Sequence, residues 1–408
     1  MNKKFTSESL ALTPRLKIFL SADIVGSTAY KQRFEIGQDS PTPESIEKSI
    51  TNSNLWQKAI QNFYRDIVGE LDKVWNKQES IIKTDYGDEV AAITVGEKPH
   101  FWKTIGDEVV FWKEIGHEHQ TWFTIIRWME VISHIRNEFK KNNLSLNVKS
   151  TIWAAEFPVR NRVLYMGISS DSEKSKDAED TLAVSSDEYS TDPIPMISKY
   201  YEEPNQRSRT VDFIGPGIDV GFRLSQFSSL KRMAVSIDVS YLMALSYLSI
   251  HDNGTWPTGF HYTKSVFNGD VNINSDIKAK IIEIYNKLLP PSTFAIAKKG
   301  KVKGEIKINY SGTEYLKGVL GGIKYPILWI NSVPNNSMEA LKDALYIDDV
   351  DSRGLDWLKL FNFCWVFYKD RSQYIHPPFV NADPNMTLTN VTPGYEECLD
   401  LLRSSQSQ

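Results

Sequence analysis

Cysteine is scarce in this chain. Its 408 residues include two, Cys364 and Cys398. No C-x-x-C pair occurs and no disulfide framework can be inferred, which fits a reduced, cytoplasmic compartment. No run of 18 apolar residues occurs, so no membrane span is expected. The apolar segment from Val239 to Ile250 is too short to cross a bilayer. Met1 to Pro14 is polar and lacks the apolar h-region of a signal peptide. Nor is there an excess of basic charge. Lys and Arg number 47 against 51 Asp and Glu, giving a net charge of −4 and a pI near 6.0. A nucleic-acid partner, which calls for a strongly basic face, is therefore not expected. No repeat of solenoid length is present.

What remains is ordinary globular material. Apolar residues make up 41% and charged residues 24%, enough for a sizeable core. Lys17 to Asp23 reads as a buried strand running into a turn at Gly26-Ser27-Thr28. A polar, proline-containing stretch follows at Gly37 to Ser45. Leu55, Ile60, Phe63, Ile67, Leu71 and Val74 recur at helical spacing and predict an amphipathic helix over Asn54 to Lys77. Val90 to Val95 and Glu108 to Trp112 read as strands. Gly106 separates the latter from Phe101 to Ile105, which is a hairpin signal. A helix over Gln120 to Lys141 and a strand over Leu144 to Ala155 come next.

Ser169 to Arg209 is dense in Ser, Asp, Glu and Lys and reads as a long exposed insertion. After Gly215-Pro216-Gly217 come a helix from Ile218 to Ser228, a strand at Ala234 to Ile237 and a helix at Tyr241 to Ile250. Lys303 to Asn309 and Ile323 to Ile330 read as late strands. The mixed order, without a regular βαβ repeat, predicts an α+β fold. A tail of 1–14, a main domain of 15–333 containing the 169–209 insertion, and an extension of 334–408 with an aromatic helix at Trp357 to Tyr368 complete the expected organisation.

Two acids carry the chemical signal. Asp23 ends an apolar strand, where a carboxylate is costly unless it is paired or holds a metal. Asp107 lies on the turn of the expected hairpin. Carboxylates projected from neighbouring strand ends can share divalent cations, in the layout used for phosphoryl chemistry. The backbone of Gly26, Ser27 and Thr28 offers N–H groups to phosphate at a helix start. Taken singly, each acid is more often a cap or turn residue.

The set resembles a known family. Phe19-Leu-Ser-Ala-Asp-Ile-Val-Gly-Ser-Thr28 is similar to the first metal motif of class III adenylyl and guanylyl cyclases. Lys103-Thr-Ile-Gly-Asp-Glu-Val-Val-Phe111 is similar to the second, and Val211 to Arg223 to the third block. Tyr315-Leu-Lys-Gly318 resembles the late lysine motif. The four blocks occur in family order across most of residues 15 to 330.

The resemblance implies a ferredoxin-type sheet with helices on one face, plus insertions and a C-terminal extension. It implies an enzyme that closes a nucleoside triphosphate into its 3′,5′-cyclic monophosphate. Two ions of Mg²⁺ or Mn²⁺ would be held by Asp23, Asp107 and the Ile24 carbonyl. Lys103 and Asp212 fall where purine cyclases read the base, and Asp219 where the ribose is oriented. Arg223 falls where charge on the α-phosphate is stabilised, and Lys317 where the terminal phosphates are held. Family members work as head-to-tail homodimers with interfacial sites. One protomer would supply Asp23 and Asp107, and its partner Lys103, Asp212, Asp219, Arg223 and Lys317.

The chain departs from the compact adenylyl cyclases. Asp219 replaces an asparagine, Gly-Pro-Gly replaces Gly-Asn-Thr, Ala155 stands where a strand glycine is common, and 31–53 and 169–209 are inserts. Gly-Asp-Glu-Val-Val with Gly-Pro-Gly-Ile-Asp-x-Gly-Phe-Arg looks most like the bacterial Pycsar pyrimidine cyclases. Those make cyclic UMP or cyclic CMP as an antiphage signal for a separate effector protein. UTP is then favoured over CTP, with an adenylate cyclase or a non-catalytic nucleotide-binding protein as alternatives. Other motifs have plain readings: Gly87-Asp-Glu-Val90 as a turn, His117-Glu118-His119 as a polar loop, Lys298 to Lys303 as a hairpin tip, and Trp122 to Trp128 as core or interface.

Overall fold

The alternation of the first strand sets the layers. In the computed structural model, β1 (Arg15–Val25) points Leu16, Ile18, Leu20, Ala22 and Ile24 into one hydrophobic cluster. The intervening positions include Phe19, which belongs to a second cluster across the sheet. Both faces are covered, so Lys17 to Ala22 are buried without exception. The structure describes residues 15–32, 43–158, 160–166, 210–251, 275–288, 295–298, 301–304, 306, 308–319, 322–332, 356–371, 375, 377 and 378.

After β1 come α1 (Ser27–Gln32), α2 (Pro43–Tyr86) and α3 (Asp88–Thr94). The hairpin β2 (His100–Ile105) and β3 (Glu108–Ile115) leads into α4 (Glu118–Lys141) and β4 (Asn147–Phe157). These strands lie in the order β4-β1-β3-β2, antiparallel throughout, which is the β-α-β-β-α-β split arrangement of ferredoxin-like folds.

A small hairpin follows, β5 (Arg162–Met166) with β6 (Thr210–Ile214). Then come α5 (Pro216–Leu224), β7 (Arg232–Val235), α6 (Ile237–His251) and α7 (Ser275–Leu288). β8 (Ala295–Lys298) and β9 (Lys301–Gly304) form a separate hairpin. β10 (Ile308–Tyr315) and β11 (Lys324–Asn331) complete the main sheet, and α8 (Trp357–Asp370) is the last helix described. The full order is β10-β11-β7-β4-β1-β3-β2, with β7 parallel to β4.

The large helices share one face. Trp75 of α2, Trp128 of α4, Tyr241 of α6, Ile281 of α7 and Phe361 of α8 are all in the cluster with Leu20. The opposite face carries the short α5 and the β5–β6 hairpin over Phe19, Trp102, Trp153 and Phe213. α8 is capped by Asp356, whose carboxylate accepts the N–H groups of Leu358 and Lys359. It docks on α6, with Phe361 stacked on Tyr241 and the Tyr368 hydroxyl donating to Asp238 at 2.7 Å.

Three expectations change. Val90 to Val95 is helix, not strand: Gly87, at φ 94, separates α2 from α3, and Asp88 and Glu89 in the first turn suit a helix start. The apolar run was too short for its period to decide between the two. Lys303 to Asn309 straddles the break between β9 and β10. His117-Glu118-His119 is no polar loop; all three are buried, as the N-cap and first residues of α4. The Asn54 to Lys77 helix lies within the longer α2, while Trp122 and Trp128 are core residues as read. The insertion from Ser169 to Arg209 lies outside the described residues. No helix among the described residues is long and apolar enough to cross a membrane.

Candidate functional site

Three carboxylates and one ammonium meet where β1 ends beside the β2–β3 turn. In the strand register Asp23 stands opposite Glu108 on β3 and opposite Lys149 on β4, all three on one sheet face. The Lys149 ammonium lies 3.1 Å from Asp23 Oδ2. Asp107 follows Gly106, whose φ of +66 lets the hairpin turn tightly. The Asp107 carbonyl accepts the Ile24 N–H at 3.3 Å, which staples the turn to the end of β1. Ser27, the first residue of α1, donates its hydroxyl to Asp107 Oδ2. From α2, the Tyr64 hydroxyl donates to the Gly106 carbonyl.

The electrostatics follow from this crowding. Burial pushes the Asp23 carboxyl above the usual carboxylate range; Lys149 offsets that and the Asp107 charge adds to it. Glu108 is raised first by burial, with a hydrogen bond from Ser21 opposing and the Asp23 charge adding. Its Oε1 is buried with no hydrogen-bond partner among the described residues. Tyr64 is pushed up to about 12, by burial and then by the Asp107 charge.

Hard oxygen donors concentrated beyond what one lysine neutralises fit a divalent cation. Asp23, Asp107 and the Ile24 carbonyl are the residues that could hold it. Tyr64, Glu108 and Lys149 had escaped the sequence reading. Glu108 follows Asp107 directly in the second motif, but Lys149 and Tyr64 reach the corner only through sheet register and helix packing.

A second group lies at the β2 edge. Lys103 Nζ is 2.7 Å from Asp212 Oδ1, across from β2 to β6. The Trp102 indole N–H donates to the Val211 carbonyl at 3.1 Å, tying the same two strands together. The Lys103 ammonium lies 4.1 Å from the centre of the Trp102 ring and 5.8 Å from that of Phe222.

The third group rides on α5. Pro216 is at its first turn, where no N–H is missed. Gly215 has φ +136, and a Cβ there would strike Arg160 O at 2.6 Å. A Cβ on Gly221 would meet Trp153 at 2.2 Å, so α5 lies flat against the indole. Asp219 and Arg223, four apart, share a helix face and are both exposed. Among the described residues no hydrogen bond or ion pair holds either side chain. Lys317, also exposed, sits in the turn after β10, and β10 and β2 are opposite edges of the sheet.

One chain therefore brings Asp23 to Asp107 and Lys103 to Asp212. It presents Asp219 and Arg223 together on α5 and leaves Lys317 apart. Gly26 and Thr28 are exposed beside Ser27, whose hydroxyl is committed to Asp107.

No protein-family model matches the sequence, and no curated protein matches it. Solved structures with some likeness include the adenylyl cyclase CyaB from P. aeruginosa, at 10% identity and a TM-score of 0.32, over 78% of this chain and 94% of that one. The guanylyl cyclase Cya2 is similar at 8% identity and 0.28, over 80% and 95%. The guanylate cyclase domain of RhGC from Catenaria anguillulae, in complex with GTP, is similar at 12% and 0.29, over 79% and 98%. Likeness at this level leaves the chemistry of the chain to its own residues.

Proposed function

We propose that the chain is a class III nucleotidyl cyclase that converts a nucleoside triphosphate to its 3′,5′-cyclic monophosphate and pyrophosphate. The observation that carries the reading is the meeting of Asp23 and Asp107 at one corner, with Lys149 as the only cation paired to Asp23 among the described residues. Asp23, Asp107 and the Ile24 carbonyl would hold two Mg²⁺ or Mn²⁺ ions. When bound, such ions lower the pKa of the 3′-hydroxyl and neutralise charge on the leaving pyrophosphate.

The chain's own residues do the rest. Ser27 and Tyr64 fix the Asp107 turn, and Lys149 covers the Asp23 charge until substrate arrives. Lys103 and Asp212 face the base, and Asp219 orients the ribose. Arg223 is aimed at charge developing on the α-phosphate as O3′ bonds to phosphorus and the bond to pyrophosphate breaks. Lys317 takes the terminal phosphates. A carboxylate corner neutralised by a single lysine on one surface, and an Arg223 guanidinium without a partner among the described residues on another, support an arrangement in which two protomers complete each other's sites.

The base we assign is a pyrimidine, UTP before CTP, made into an antiphage second messenger for a separate effector. Its support is the Gly-Pro-Gly-Ile-Asp-x-Gly-Phe-Arg block and the Phe222 ring beside the Lys103–Asp212 pair, where a single ring needs less room than a fused one. A second reading, adenylate cyclase, is favoured by that same pair, because a donor and an acceptor side by side also suit adenine. Incubation of the pure chain with each of the four ribonucleoside triphosphates and Mn²⁺, with products identified by mass, tests both. Cyclic UMP is expected. ATP turnover alone would replace the pyrimidine assignment, and triphosphate binding without pyrophosphate release would remove the enzyme.

A further inference from the structure

The start of α4 carries an arrangement that the cyclase reaction does not use. His117, Glu118 and His119 each offer one ligand atom, and those atoms lie within 4.8 Å of one another. The Glu118 side chain is completely buried, and neither carboxylate oxygen receives a hydrogen bond among the described residues. A carboxylate in such a place is costly unless it is paired. His117 Nδ1 lies 2.8 Å from Glu118 Oε2. That same nitrogen faces the His119 N–H at 3.4 Å as its acceptor, in the N-cap role. At that separation a proton or a metal ion stands between Nδ1 and the carboxylate oxygen, and the N-cap contact to the His119 N–H leaves the Nδ1 lone pair open to a metal.

The histidine beside it is already oriented. His119 Nδ1 is 2.7 Å from Ser246 Oγ on α6 and 2.8 Å from the Tyr285 hydroxyl on α7. When Nδ1 carries the proton and one of these hydroxyls accepts it, Nε2 is left as a donor of electrons, which is the usual support of a metal-bound histidine. The His117 ring is stacked on that of His119, with centroids 4.9 Å apart. Two imidazoles and a carboxylate are the donors preferred by Zn²⁺ over Mg²⁺ or Ca²⁺.

We propose that His117, Glu118 and His119 form a structural site for one Zn²⁺-class divalent ion, separate from the carboxylate corner. It ties the first turn of α4 to α6 and α7. Water completes its coordination. The ion neutralises Glu118 and takes the place of the proton between His117 and Glu118, and Ser246 and Tyr285 hold the His119 ring that ligates it.

The test uses the full chain. After purification and dialysis, metal content is measured by elemental mass spectrometry for the wild type, Asp107→Ala, Glu118→Gln and His119→Asn. About one zinc per chain is expected in the wild type and in Asp107→Ala, falling at least tenfold in the other two. Co²⁺ added to chelator-stripped wild-type protein should give the visible absorption of a low-coordinate site, and Zn²⁺ should raise its Tm. Glu118→Gln keeps the side-chain shape, and the wild-type measurements do not depend on any variant folding. A wild-type chain with no retained zinc, no cobalt absorption and no Tm response overturns the proposal and leaves a proton between His117 and Glu118. Zinc lost with Asp107→Ala also overturns it, by placing the ion in the carboxylate corner.

Discussion

Lys113 is the most exacting point at which to test the packing. It lies on β3, whose first residue is Glu108, yet it faces the large cluster and is completely buried. Its ammonium donates to the Val95 carbonyl at 2.8 Å and to Gln120 Oε1 at 3.3 Å, and it sits 5.3 Å from the centre of the Trp75 ring. No carboxylate is paired to it among the described residues, and burial pushes it down from 10.5 to about 7. At about 1.4 kcal/mol per decade, that gap corresponds to roughly 5 kcal/mol.

The sign is fixed by linkage. Between about pH 7 and the ordinary lysine value, the unfolded chain holds a proton on Lys113 that the folded chain lacks. Stability from this group therefore rises with pH across that window and is flat below it. Lys113→Met removes the titration and loses the bond to Val95, a cost that does not vary with pH. Denaturant unfolding of both proteins at constant ionic strength should show the wild type gaining roughly 2 kcal/mol on the variant between about pH 7 and pH 9. A difference that stays flat, or moves the other way, would refute the placement of an unpaired amine in this core.

Three further outcomes are expected. Asp107→Ala and Arg223→Ala should each be inactive alone, while an equal mixture should recover roughly a quarter of wild-type turnover, because half the dimers then carry one intact site; no recovery would mean that each site is built from one chain. The acid limb of the pH–rate profile should lie above the ordinary carboxylate range, since Asp23 must ionise to hold a cation, and Lys149→Met should move it further up; a downward move would contradict that assignment. Gly221→Ala should cost about 1–3 kcal/mol by driving α5 off Trp153, and should lower turnover more than nucleotide affinity. Thermal unfolding beside steady-state kinetics would measure both.

The sequence disclosed what is local. Asp23 and Asp107 each sit in a short motif whose strand, turn and acid are neighbours in the chain, and the structure seats them at a strand end and a hairpin turn. Lys149 and Tyr64 were invisible because they arrive through sheet register and through the face of a 44-residue helix. Val90 to Val95 was misread because a short apolar run carries no period. α7 passed unnoticed although Ile277, Ile281 and Ile284 stand at helical spacing and are buried. His117 to His119 reads from the sequence as a polar loop. Only the approach of Ser246 and Tyr285, from helices far along the chain, makes it an interior site.

The placement of α8 bears on any attempt to trim the molecule. Leu360, Phe361, Cys364 and Tyr368 fill the space beneath α6 as fully as any residue of the sheet. A chain ended at 333 would present bare aromatic rings to water and leave Asp238 without its phenol. α8 is a keel, and inactivity after such a cut would report capsizing of the fold, not loss of a docking arm.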